Sequence, residues 1–146
     1  MIKAVRTETL AQRTGAYYVR IAAMAVKHRI SPEQEFDEHD TPDTKYIVLY
    51  DGVLPVATGR LYAIDTERVM LGRIVVLEEY RGKGLGRAVV QEAEQWAAEL
   101  GFVTAVLESR LEKTGFYEKL GYQTVPGAEI CGDTFRCIRM EKPLLP

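Results

Sequence analysis

Two cysteines, two histidines and one tryptophan are all that the 146 residues hold of these types. Cys131 and Cys137 make neither a disulfide framework nor a tetrahedral metal set, and His28 and His39 have no spacing that suggests a metal. No stretch approaches the ~20 consecutive apolar residues of a membrane span. The opening residues, MIKAVRTETL, lack the apolar run of an export signal. Neither sign of charge dominates. With 19 basic and 21 acidic residues the net charge is −2, which excludes a broadly basic nucleic-acid binder and gives no reason to sit on an anionic membrane. No internal repeat, low-complexity tract or linker divides the chain. Residues 1–146 therefore read as a single domain with reduced thiols, and a cytoplasmic location is expected.

What is present is 47% apolar residues, enough for a core, in periods that alternate between two and 3.6. Ile2–Thr7 is a short strand. Thr9 with Gln12 forms a capping box ahead of a helix whose apolar residues are Leu10, Tyr17, Ile21, Met24 and Ala25. Gly15 weakens that helix by ~1 kcal/mol relative to alanine. Ser31-Pro32-Glu33-Gln34 starts a second, short and acidic segment reaching Asp40. Lys45–Tyr50, Pro55–Ile64 and Val69–Val76 follow as a three-stranded meander, with Asp51-Gly52 as its first turn. Leu85, Val89, Val90, Ala93, Trp96, Ala97 and Leu100 then lie on one helical stripe that Gly101 ends. Val103–Leu107 is apolar on both faces, as a central strand is. Ser109-Arg110-Leu111-Glu112 reads as a third capping box, opening a helix that ends at Gly121. Tyr122–Val125 and Thr134–Glu141 are the last strands, joined by a loop containing Pro126, Gly127 and Gly132. The class is α/β: a mixed central sheet of about six to seven strands flanked by about four helices.

The most informative segment joins the third meander strand to the long helix. It contains Arg81, Gly82, Lys83, Gly84, Leu85, Gly86 and Arg87. Backbone N–H groups at a helix start point outward unpaired, and the helix dipole puts partial positive charge there. Glycines let an anion approach closely, and Arg81, Lys83 and Arg87 add formal charge, so the segment suits a diphosphate. It is not a Walker A loop, because no Gly-Lys-Ser/Thr occurs, and its glycines miss the G-x-G-x-x-G spacing of a dinucleotide fold. A turn that merely redirects the chain needs fewer glycines. A generic nucleotide-phosphate binder would take ATP and coenzyme A alike.

Arg81-Gly-Lys-Gly-Leu-Gly-Arg87 after an apolar strand resembles the acetyl-CoA-binding motif of the GNAT superfamily of N-acetyltransferases. Gly115-Phe-Tyr-Glu-Lys-Leu-Gly-Tyr122 resembles that family's F-Y-x-x-x-G-F/Y segment, and the interval between the two motifs fits. Glu33–Asp40 ahead of a Y-I-V-L-Y-D-G hairpin further resembles the small ElaA-like branch. The resemblance covers nearly the whole chain. It implies the GNAT acyltransferase fold, acetyl-CoA as cosubstrate and no metal. It implies diphosphate contacts at 81–87, a strand edge at Ile74, Val75 and Val76 that pairs with the pantetheine arm, and Tyr117 as the acid that protonates the departing thiolate. The reaction it implies is direct attack of a primary amine, from a small molecule or a peptide, on the thioester. Homodimers are common in the superfamily, but no feature of this chain establishes one.

Several readings stay open. Tyr117 also reads as a packed helix aromatic with its hydroxyl at the surface, and Arg110 reads as lying on a helix surface, with contact to the cofactor as the alternative. Many relatives use a glutamate on the strand carrying the cofactor edge; here Glu67 precedes that strand and Arg73 lies within it. The segment Glu33, Glu35, Asp37, Glu38, His39 and Asp40 offers carboxylates that singly read as a solvated face. Together they read as an entrance for a cationic amine, and a water-mediated base is an alternative. The missing strand glutamate motivates a second function, a non-catalytic acyl-CoA-binding or regulatory module.

Overall fold

The computed structural model describes residues 1–131 and 136–144, and of Ala128, Ile130 and Cys131 the backbone only. Chain order begins with β1 (Ile2–Arg6). Thr9 then accepts the Gln12 N–H at 3.2 Å while Gln12 Oε1 accepts the Thr9 N–H at 3.0 Å, and α1 (Leu10–Arg20) starts there as the box predicts. A π-helical turn, Ile21–Ala25, carries α1 into α2 (Val26–His28), so these segments form one helix with a widened turn. Ser31 and Gln34 repeat the box ahead of α3 (Pro32–Glu35).

β2 (Lys45–Asp51), β3 (Leu54–Ala63) and β4 (Arg68–Val76) are the meander, with Gly52 at φ 63° in its first turn. α4 (Leu85–Glu99) crosses back to β5 (Thr104–Arg110), which lies parallel to β4. α5 (Thr114–Lys119), β6 (Gln123–Cys131) and β7 (Arg136–Pro143) complete a seven-stranded sheet of order β1-β2-β3-β4-β5-β7-β6.

Two expectations are corrected. Ser109 caps no helix: it belongs to β5, pairs with Ile138 of β7, and its hydroxyl donates to the Arg110 carbonyl at 2.8 Å. The ladder to β7 claims this backbone, so a 3₁₀ turn (Leu111–Lys113) intervenes and α5 starts uncapped at Thr114. Pro126 and Gly127 lie within β6 rather than in a loop, where its pairing with β7 shifts between Thr124 and Glu129. Proline cannot donate to a ladder, and an outermost strand tolerates the gap. The readings at Gly132 and Thr134 fall outside the described residues.

Register assigns the two faces. Leu61 pairs with Leu71, Leu71 with Leu107, and Leu107 with Met140, so these four form one row. The row is buried with Leu85, Val89, Val90, Ala93 and Ala97 of α4. Gly59 lies on this face, where an added Cβ would stand 2.5 Å from a methyl of Val89. Tyr46 and Val48 point to the opposite face, under Ala16 of α1.

The helix penalty at Gly15 has a packing reason: a Cβ there would come within 2.6 Å of the Tyr50 hydroxyl and 3.1 Å of a Val48 methyl. Gly15→Ala is expected to lower the melting temperature, because overpacking of about 1–3 kcal/mol outweighs the ~1 kcal/mol gain in propensity. Adding Tyr50→Phe removes the closest atom and should recover much of the loss in a thermal melt. A rise in Tm for the single variant would contradict the packing.

Candidate active site

The sheet splits between β4 and β5. Their ladder runs from Arg68–Thr104 to Leu71–Leu107 and goes no further. The cause lies on the other side of β4. Arg60 pairs with Gly72 and Thr58 with Val75, so Arg73 and Ile74 together oppose the single residue Gly59. Arg73 takes φ 48°, a left-handed conformation strained for a non-glycine residue. Such a bulge bends its strand and raises the local twist. Beyond it, β4 keeps β3 on one side and has no strand among the described residues on the other. The Leu77 N–H donates to the Val56 carbonyl at 2.8 Å, so by alternation Ile74 and Val76 turn their backbone groups to the open side. Val75 turns its own toward β3, which refines the three-residue edge read from the sequence. The exposed Arg81 donates from Nε to the Val76 carbonyl at 3.3 Å.

The glycine-rich turn stands at the end of this edge. Gly82 and Gly84 have φ 77° and 78°, and a Cβ at either would meet no atom within 4 Å. Gly84 caps α4, and its carbonyl accepts the first helical bond, from the Ala88 N–H at 3.1 Å. The N–H groups of Leu85, Gly86 and Arg87 precede that bond and lack helical partners. Open ground in front of unpaired amides fits a diphosphate. The side chains divide differently. Leu85 is buried in the core, Arg81 and Arg87 are exposed, and the Lys83 ammonium lies 5.1 Å from the Tyr80 ring centroid.

Three segments distant in sequence meet at the gap. A Cβ at Gly86 would lie 3.6 Å from Phe116 and 3.9 Å from Val76. Phe116 packs edge-on against Tyr117 at 5.0 Å, and Tyr117 against Tyr122 at 6.0 Å. Tyr117 is half-buried and packs against the α4-side core. Burial pushes its phenol up to about 12, with the Arg110 charge pulling the other way. The group is therefore protonated throughout the neutral range. Arg110 ends β5 rather than riding a helix surface, and its guanidinium reaches the Met24 sulfur in the π turn at 3.8 Å.

The α1 face of the same split carries residues that sequence reasoning missed. Tyr62 pairs with Met70 and Met70 with Val106, so Glu108 and Arg110 share their face. Across β7, Arg139 opposes Glu108 and Cys137 opposes Arg110. The Arg139 guanidinium donates to Glu108 at 3.0 Å. Glu108 is the first residue past the last β4–β5 rung, and its signal was an acid ending an apolar strand. Burial pushes the Cys137 thiol up, the wrong direction for a nucleophile. His39 stacks on Tyr62 at 3.9 Å.

Within the acidic segment Glu33 and Glu38 are exposed, as a solvated face predicts, but Glu35, Asp37 and Asp40 are turned to arginines. Arg20, wholly buried, donates to Glu35 at 3.0 Å and to both Asp40 oxygens at 2.6 and 3.0 Å. Arg60 donates to Asp37 at 2.8 Å and lies 3.0 Å from Asp40, and Arg73 donates to Asp37 at 3.2 Å. Three arginines thus neutralise three carboxylates. The signal would have been arginines in otherwise apolar elements. Burial alone would raise Asp40, but hydrogen bonds from Arg20 and Tyr46 outweigh it and hold the carboxyl far below the usual range. Asp37 is likewise lowered, against burial, by Arg60, the His39 N–H and Arg73.

The Acetyltransferase (GNAT) family model matches residues 9–122. An uncharacterized acetyltransferase of Streptococcus pyogenes is 37% identical over 111 residues, 76% of this chain and 75% of that protein. A protein of Lactobacillus plantarum assigned as an N-acetyltransferase has a crystal structure matching at TM-score 0.92 and 34% identity, over 99% of both chains. The crystal structure of Escherichia coli ElaA matches at TM-score 0.81 over 97% of this chain and 99% of that one; at 22% identity the likeness is one of fold. A split sheet with an open glycine-rich turn beside it is thus the frame of an acyl-CoA acyltransferase. The chain belongs to the GNAT acetyltransferase family.

Because Asp37 and Asp40 are depressed in the fold, their contribution is complete above the unfolded carboxylate value near ~4 and is lost as pH falls through the lower folded values. The urea midpoint should therefore drop steeply below about pH 4. Asp40→Asn should be less stable than the parent at neutral pH and flatter in acid. Parallel acid limbs for the two would contradict the assignment.

Proposed function

We propose that residues 1–146 act as one domain that moves an acetyl group from acetyl-CoA to a primary amine by direct attack, with both substrates bound together. One observation carries the reading: Val76 of the open edge, Gly86 of the amide-rich turn and Phe116 beside the protonated Tyr117 are packed around one gap. Acetyl-CoA, when bound, supplies an acyl carbon activated as a thioester. The amides of 82–87 hold its diphosphate, and Arg81, Lys83 and Arg87 add charge around it. Ile74 and Val76 offer backbone groups to the amides of the pantetheine arm.

Tyr117 holds its proton toward the sulfur. Full transfer from a phenol near 12 to an ordinary thiolate, with a pKa of ~8.5, is uphill, so its main contribution is a hydrogen bond that strengthens as charge develops. A sulfur in the same dry pocket is raised by burial too, which narrows the difference. The incoming amine must lose a proton. Glu108, past the last rung and on the face opposite the α4 core, takes it through a water and passes it to solvent. The carboxylate absent from β4 thus comes from β5, which removes the motive for a non-catalytic module.

Gly84→Glu puts bulk and negative charge before the amides, and titration calorimetry should show coenzyme A binding lost. Unchanged affinity would contradict the cradle. Tyr117→Phe should lower kcat by about 10²-fold and leave the Kd for coenzyme A within about twofold. Equal losses in both would make Tyr117 a packing residue. Glu108→Gln should lower kcat near neutral pH and recover as pH rises and the amine deprotonates by itself. A deficit constant with pH would remove Glu108 from the proton path.

A further inference from the structure

We infer that the hollow on the α1 face of the split selects an acceptor with a carboxylate beside its amine, an α-amino acid or close analogue. That carboxylate would be held by the guanidiniums of Arg73 and Arg139. The inference rests on the acetyl-transfer reading and deepens it.

The ground above Gly72 is open, since a Cβ added there would meet nothing within 4 Å. Tyr62, under its stacked His39, stands on β3, and the Glu108–Arg139 pair stands across β5 and β7. Arg73 enters from the bulge next to Gly72 and is held by Asp37 at 3.2 Å.

Arg73 and Arg139 are both under-used. Each makes one hydrogen bond, so four of its five N–H donors have no partner among the described residues. Their side chains are 33% and 35% exposed, yet the Nε atom of each is covered and unpaired. Donors held out of water without an acceptor favour an anion, and a charge-assisted bond to carboxylate is among the stronger ones available. Three of the carboxylates that could draw a polyamine are neutralised, because Arg20, Arg60 and Arg73 engage Glu35, Asp37 and Asp40.

Spacing narrows the class. Glu108 and Arg139 present opposite charges 3.0 Å apart. An α-amino acid presents an ammonium and a carboxylate one carbon apart. Laid against this pair, the ammonium faces Glu108, where the proton must leave, and the carboxylate faces Arg139 and Arg73.

The test uses the full chain with acetyl-CoA and reads free thiol. Acceptors are matched triads: free α-amino acids, their C-terminal amides and their decarboxylated amines. The free acid should exceed both partners in kcat/KM by about tenfold or more, the worth of one charge-assisted bond. Arg139→Gln should raise KM for the acid and bring the acid-to-amide ratio toward one, whereas Arg139→Lys should keep part of the preference. Loosening of Glu108 in these variants affects all members of a triad and cancels in the ratio. Amides or plain amines used as well as the acid would overturn the inference and leave acetyl transfer standing, as would a ratio intact in Arg139→Gln. Absence of turnover with every member would overturn the acetyl-transfer reading itself.

Discussion

Arg20, Arg60 and Arg73 come from α1, β3 and β4 and converge on Glu35, Asp37 and Asp40 of one short segment. Buried ion pairs return little net stability compared with apolar groups of the same size. Their effect here is placement. Arg20 also lies over the Phe36 ring at 4.2 Å, so the stretch between α3 and β2 is pinned by charge and by stacking. Arg73 is the member tied to the split, because it occupies the left-handed position of the bulge. The strain of that conformation is borne where an ion pair to Asp37 holds the side chain. The bulge in turn ends the β4–β5 ladder at Leu71 and Leu107.

From that split, two half-sites follow on opposite sides of the sheet. The amide-rich turn, Val76 and Phe116 gather on the α4 side. Tyr62, Glu108, Arg139 and the Gly72 hollow lie on the α1 side. On the proposed reading, donor and acceptor would approach one another through the sheet rather than side by side. Each can then be recognised by its own chemistry, and both can be present at once. A covalent acyl-enzyme is not required, and the one described thiol on this face, Cys137, is shifted away from thiolate by burial.

Features whose partners are near in sequence were legible. Capping boxes at Thr9 and Ser31 span three residues, the Gly52 turn is local, and the amide cradle needs only glycines at a strand-to-helix junction. The same local logic failed at Ser109, where the spacing of a capping box recurs by chance and pairing with β7 wins. The ion network was illegible because its partners lie 15 to 36 residues apart and arginines there resembled surface charge. Gly15 read as a weakness because nothing local reveals the Tyr50 hydroxyl and Val48 methyl that lean against it. A Gly72-Arg73 pair inside an apolar strand was the one visible trace of the bulge.

The outermost strand β6 shows a different economy. An unpaired sheet margin invites another chain to add itself, rung by rung. Here the margin carries Pro126, which offers no N–H, and Gly127 at φ 73°, and its ladder is broken from Thr124 to Glu129. A foreign strand would find no continuous run of donors and acceptors to copy. The irregularity that spoils a neat hairpin is therefore a guard against edge-to-edge self-association, set at the far border of the sheet from β1.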